Sequence, residues 1–320
     1  DHLTAGQPER QFRQDRLTYH QERVGIYEAL TFGGYAPDLV IEEDLLNPQV
    51  LNTYKVLYLV GDCLPVEAVP ALEKWVQAGG VLFATAGVGC YDTYHQPNEA
   101  MQKLLGIATR KIEHRSTFLR TSQELPFIKP LGMVVGENWQ IPVLAVWERI
   151  TAAADAQVLA SFQDDNTPAL TVRTLGKGRA YYAAALPGVA YLWTGLQPPA
   201  VPDRGPGVHR AVNTYDPLAA RVLALPLSAG GLEPRVATSP DYIDTRLLSA
   251  KGAYILPLAN YNEKVGRPAV VTIRPPSEPQ QLASATSAFC GALETHVVDG
   301  RWVITIPKLG YGDIVRIQLK

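Results

Sequence analysis

Residues 55–92 read KVLYLVGDCLPVEAVPALEKWVQAGGVLFATAGVGCYD. Lys55 to Val60 and Val81 to Thr85 are short, nearly continuous apolar runs, the pattern of parallel strands covered on both faces. Between them Val66, Val69, Leu72 and Val76 recur at helical spacing, and Gly79-Gly80 closes that helix. Strand, helix, strand at this spacing predicts a doubly wound α/β layer. Upstream, Val24, Tyr27 and Leu30 predict a helix from Gln21 to Gly33-Gly34, and Asp38 to Ile41 reads as a short buried strand. Downstream, Met101, Leu104 and Leu105 predict a short helix ending at Gly106.

The rest of the chain is richer in strand signals. Residues 141–147, 157–162, 169–174 and 179–185 read as short strands that extend the sheet antiparallel at one edge, the last two joined by Leu175-Gly176-Lys177-Gly178. Gln197 to Gly207 is rich in proline and glycine and can be neither helix nor central strand. Asp216-Pro217 is an N-cap followed by proline at the first helical position, and predicts a helix to Pro226. After residue 233 about seven short strands follow, with Asp299-Gly300 as a two-residue hairpin signal. The expectation is a flavodoxin-like α/β domain, of the class I glutamine amidotransferase kind, over 1–232. A small antiparallel β-sandwich is expected over 233–320.

Composition narrows the function classes. With 47% hydrophobic and 19% charged residues, the 320-residue chain has the makeup of a globular two-domain protein. Lys+Arg 29 against Asp+Glu 31 gives a net charge of -2, which argues against nucleic acid and anionic membrane as partners. No apolar run approaches the roughly 20 residues of a membrane-spanning helix. Three cysteines, at 63, 90 and 290, are too scattered for a disulfide framework or a zinc cluster. The chain opens Asp1-His2-Leu3, without initiator Met or signal peptide. A first strand before the Gln21 helix is also missing, so a piece of a longer protein is expected. Cytoplasm is the default compartment, and secretion or the periplasm follows if an N-terminal segment has been removed.

Candidate chemistry centres on the loops after the two strong strands. Open α/β sheets bind ligands at the carboxyl ends of their strands, which selects Asp62 and the loop Ala86 to His95. Cys90, Tyr91, Asp92, Tyr94 and His95 there suit a polar or sugar-like ligand. Cys90 occupies the strand-to-helix turn that carries the amidotransferase nucleophile, but its neighbours Tyr91 and Asp92 are bulky where such an elbow needs small residues. Of the six histidines only His20 is followed two residues later by an acidic residue, Glu22, and it lies upstream of both strong strands. Gly87-Val88-Gly89 and Gly176-Lys177-Gly178 lack the third glycine or the helix N-terminus that phosphate binding requires. No metal-ligand spacing occurs and no cofactor motif is complete, so neither is expected.

Several stretches resemble one family. Arg23-Val24-Gly25-Ile26-Tyr27-Glu28-Ala29-Leu30, Asp38 to Leu45, Tyr54 to Leu59 and Trp75 to Thr85 are similar to the non-catalytic α/β domain of family 42-type beta-galactosidases. Leu175 to Tyr182 is similar to a late strand segment of that domain, and Leu309 to Val315 resembles the closing strand of the small β domain after it. The resemblance implies an amidotransferase-like domain without its triad, serving trimer formation behind a catalytic barrel. No such barrel is visible in this chain, so no glycosidase acid or nucleophile carries over. It also implies self-association or an upstream catalytic barrel as partner, with a carbohydrate as candidate ligand. The function expected is therefore a non-catalytic module of a beta-galactosidase-type protein. The alternative is a small hydrolase or amidotransferase-like enzyme that uses Cys90 or the cleft at Asp62 and Asp92.

Overall fold

The computed structural model describes residues 18–114, 130–196, 214–262, 265–276 and 282–320. The proline-rich stretch 197–207 lies outside the described residues. Two compact units divide the chain: Asp1–Ile26 with Leu39–Leu232, and Tyr27–Asp38 with Glu233–Lys320.

The first unit holds most of helix α1 (Thr18–Phe32), the short α2 (Pro48–Leu51), β1 (Val56–Leu59), α3 (Ala68–Ala78), β2 (Val81–Ala84) and α4 (Glu99–Leu104). Strands β3 (Ile107–His114), β4 (Gly132–Gly136), β5 (Gln140–Val143), β6 (Val146–Ala152), β7 (Ala156–Phe162), β8 (Pro168–Leu175) and β9 (Gly178–Ala183) follow, then α5 (Pro187–Trp193) and α6 (Pro217–Ala229). The main sheet runs β1-β2-β9-β8-β7-β4-β5, and β3 pairs with β6 apart from it. Strands β1 and β2 pair in parallel, and so do β2 and β9. β2 is buried at every position, as a central parallel strand should be. Asp216 caps α6, its Oδ1 accepting from Leu218 N at 2.8 Å and Ala219 N at 3.1 Å. That helix carries Pro226 inside it and continues to Ala229.

The flavodoxin-like expectation does not hold. Only three strands of the seven-stranded sheet run parallel, and the other pairings in it are antiparallel. From residue 107 to 183 the chain spends itself on strands, with no crossover helix described among them. The strands at 141–185 extend the sheet antiparallel, as tight turns such as Gly176-Lys177 require, and they outnumber the parallel strands rather than edging a helix-rich layer. Asp38 to Ile41 is also not a strand. It makes no ladder, and Leu39 and Ile41 are 70% and 62% exposed.

The second unit contains β10 (Val236–Ser239), β11 (Ile243–Thr245), β12 (Leu248–Ala250), β13 (Ala253–Asn260), β14 (Arg267–Ile273), β15 (Leu282–Ser287), β16 (Gly291–Val298), β17 (Arg301–Leu309) and β18 (Gly312–Leu319). The end of α1 belongs here too. Phe32 meets Tyr242 and Tyr261 edge-on, with centroids 5.6 and 5.7 Å apart, and Arg246 donates to Tyr27 Oη at 3.0 Å.

The two-sheet sandwich is likewise replaced. All nine strands belong to one continuous ladder, β10-β14-β17-β16-β15-β18-β13-β11 with β12 on β13. Tyr254 on β13 and Trp302 on β17 are four ladder steps apart, roughly 19 Å in a flat sheet. Their ring centroids are 5.9 Å apart. The sheet therefore curls around a single core that includes Leu256, Val271, Ile304, Ile306 and Ile317. Alternating apolar positions predict that inward face equally well for a sandwich or a curled sheet, so periodicity alone does not separate them. Asp299 and Gly300, both at positive φ (49° and 72°), form the tight β16–β17 turn that their sequence predicts.

Candidate functional site

The loops after β1 and β2 lie side by side. Leu64 N donates to Tyr91 O at 2.9 Å, Tyr91 N to Asp62 O at 3.0 Å, and Gly89 N to Gly61 O at 3.3 Å. Gly89 sits at φ 56°, and a Cβ there would come within 2.6 Å of Met101 Cγ, so only glycine fits. Asp92 Oδ1 accepts from Tyr94 N and Gln96 N, each at 2.8 Å, which makes it the organiser of its own loop. Asp62 is buried, whereas Tyr94 is exposed. His95 Nδ1 lies 3.8 Å from Cys63 Sγ. Asp62, Cys90 and Tyr91 thus share one neighbourhood, with the Asp92–His95 loop beside it.

Beneath the loop is a cluster that the sequence reading missed. Glu148, on β6, is fully buried. Its Oε1 accepts from Arg110 Nη2 at 2.7 Å and from Gly87 N, and its Oε2 from Arg110 Nε at 3.1 Å and Tyr182 Oη at 2.6 Å. Arg110 also donates to Tyr182 Oη at 2.9 Å and to Val88 O at 3.2 Å. The carboxylate is thereby satisfied on both oxygens, the condition under which a buried charge is tolerable. Burial opposes the Arg110 charge, but the Tyr182 and Glu148 oxygens outweigh it and hold the guanidinium protonated.

Cys90 Sγ lies 4.0 Å from Glu148 Oε1. Burial pushes its thiol up to about 12, with Arg110 opposing and Glu148 and Asp62 adding to the rise. A thiol so placed is protonated at neutral pH and is a poor nucleophile. Burial also raises the Tyr19 hydroxyl, with Asp62 and Glu148 adding to it, and among the described residues that hydroxyl has no hydrogen-bond partner. Among the described residues no group of three or more His, Cys, Asp and Glu could hold a metal ion, and no helix is long and apolar enough to cross a membrane.

One sequence signal points to the missed cluster. Trp147-Glu148-Arg149 sits inside the apolar strand Val146–Ala152, and alternation allows only one of the two charges to face outward. Arg149 takes the outer position, its guanidinium over Trp147 at 4.1 Å and Phe162 at 4.4 Å, which leaves Glu148 inside.

The chain belongs to the beta-galactosidase trimerisation domain family, whose model matches residues 5–197. Solved structures share the fold over nearly the whole chain. The beta-galactosidase from Bacillus circulans sp. alkalophilus superposes with a TM-score of 0.63 at 19% identity, covering 95% of this chain and 38% of that one. For the cold-adapted beta-galactosidase from Rahnella sp. R3 the TM-score is 0.60 at 18% identity, covering 95% and 37%. For alpha-L-fucosidase isoenzyme 2 from Paenibacillus thiaminolyticus it is 0.58 at 15% identity, covering 94% and 45%. The chain thus spans less than half the length of each. No curated protein matches it.

Proposed function

We propose that this chain is a self-associating, non-catalytic module of a beta-galactosidase-type glycoside hydrolase, and that its first unit forms a trimer that positions a catalytic barrel. The observation that carries the reading is the match of residues 5–197 to the trimerisation domain. Two features support it. The cysteine at the strand end is held as a thiol by burial, with the Glu148 carboxylate and the Arg110 guanidinium near it. In addition, the segment after α1 exposes Leu39, Ile41 and Leu46, with Val66 exposed on the neighbouring loop. Leu45 alone of that segment is tucked in, where the turn Glu42–Leu46 packs on α3. Several exposed apolar side chains within one short segment support an association surface there. Three cysteines without disulfides support a reducing compartment, the cytoplasm.

The Cys90 hydrolase alternative asks for an activated thiolate, which needs a lowered pKa or an adjacent base, whereas burial raises this thiol. Light scattering on the purified chain tests the proposal. A particle of about three chain masses is expected, together with no turnover of aryl-galactosides or glutamine. A strict monomer at high concentration, or turnover that disappears in Cys90→Ala, overturns it.

A further inference from the structure

The second unit carries two aromatic rings where a folded sheet has no structural use for them. Phe289 is 80% exposed and Tyr311 is 82% exposed. Phe289 lies in the turn between β15 and β16, and Tyr311 in the turn between β17 and β18. In the ladder β17-β16-β15-β18 the outer pair flanks the inner hairpin, so the β17–β18 connection passes over the hairpin's end. Both rings are therefore presented at the same end of the sheet.

The turns that present them are held from below. Ser287 Oγ accepts from Phe289 N at 3.0 Å and from Cys290 N at 2.8 Å, and donates to buried Asp313 Oδ2 at 2.6 Å. Asp313 Oδ1 accepts from Ile314 N at 2.7 Å, and Ala288 N donates to Ile314 O at 2.9 Å. Asn260 N and Nδ2 donate to Tyr311 O at 2.8 Å and Gly310 O at 3.0 Å. Exposed rings on turns fixed this way lose little freedom when a ligand arrives.

Size and chemistry choose the ligand. Two rings four-fifths exposed offer on the order of 300–400 Å². A stable protein interface needs about 800 Å² from each partner. One or two pyranose rings fit the smaller area, since a pyranose has an apolar C–H face that stacks on an aromatic ring and hydroxyls around its rim. Ile314, 53% exposed, follows Tyr311 by three residues and accepts through its O from Ala288 N beside Phe289, and one step further along the outer face Thr286 stands opposite Arg316 as polar partners for hydroxyls. We propose that Phe289 and Tyr311 form a saccharide-stacking platform that binds the pyranose rings of a polysaccharide, independent of self-association by the first unit.

Native electrophoresis of the full chain in gels containing soluble β-1,4-galactan, or glucomannan in a second arm, tests this. Retardation of the wild type in at least one gel is expected. Phe289→Ala and Tyr311→Ala should each weaken it roughly fivefold or more. Val297→Ala, an exposed residue on β16 away from the turns, should leave it unchanged. Wild-type mobility equal in all gels overturns the proposal, as does equal retardation of the two variants. Loss of oligomer mass in Phe289→Ala without saccharide retardation overturns it too, and assigns the rings to a protein partner. Light scattering on the wild type reads the trimer separately, so failure of one proposal does not mimic failure of the other.

Discussion

Two loop systems in this chain are built on a buried carboxylate, and they do opposite things with it. In the first unit Glu148 binds Arg110, Tyr182 and the amide of Gly87, so the strand-end loop is drawn down over its polar groups. In the second unit Asp313 binds Ser287 and the amide of Ile314, and the turns it fixes hold Phe289 and Tyr311 out in solvent. The first arrangement closes a site; the second presents one. Position at a strand's carboxyl end therefore does not by itself make a catalytic centre. What the anchored loop leaves exposed decides what it can recognise.

The comparison breaks most sharply at Glu148. Glu148→Ala strands a buried guanidinium, and a loss of about 3–5 kcal/mol is expected in urea denaturation. A loss below about 1 kcal/mol would mean that the cluster is hydrated and the loop not sealed. The corresponding cut in the second unit is smaller. Ser287→Ala leaves two turn amides and the Asp313 carboxylate short of a partner, an expected cost of about 1–3 kcal/mol.

A pH effect separates the first unit further. Glu22 is fully buried; its Oε2 accepts from Val189 N at 2.7 Å, while Oε1 has no hydrogen-bond partner among the described residues. Burial raises its carboxyl to about 8. Because the folded value lies above the unfolded one, this stability is fully present below the usual carboxylate range and is lost as pH rises through about 8. The urea midpoint should fall between about pH 5 and pH 8, and Glu22→Gln should flatten that fall. An unchanged slope in the variant would show that another group is responsible. The smallest effect concerns Cys90. Its alkylation by iodoacetamide should stay slow through pH 9, as expected for a thiol pushed up to about 12. Mass spectrometry showing rapid labelling at pH 7 would restore the nucleophile reading.

Some of this was legible in the chain and some was not. The βαβ unit at 55–85 announces itself because buried parallel strands are continuous apolar runs closed by glycines. The strands read at 141–185 do extend the sheet antiparallel, but they make up most of it, and apolar runs do not tell how many neighbours each strand has. Leu39 and Ile41 look like a buried strand because an apolar run does not reveal whether a ladder exists for it. Asp92 was correctly placed on the loop, but its carboxylate serves that loop's own amides. Arg110 and Glu148 stayed hidden because a charged residue in a strand reads as solvent-facing until its partner, 38 positions away, is known.

Sedimentation velocity of the purified chain beside Ile41→Asp and Phe289→Ala tests self-association by the first unit most directly. A trimer is expected for the wild type and for Phe289→Ala, and a monomer for Ile41→Asp, where a charge enters the exposed apolar segment. A wild-type monomer at the highest attainable concentration would contradict the trimer, and a trimer unaffected by Ile41→Asp would remove that segment from the interface.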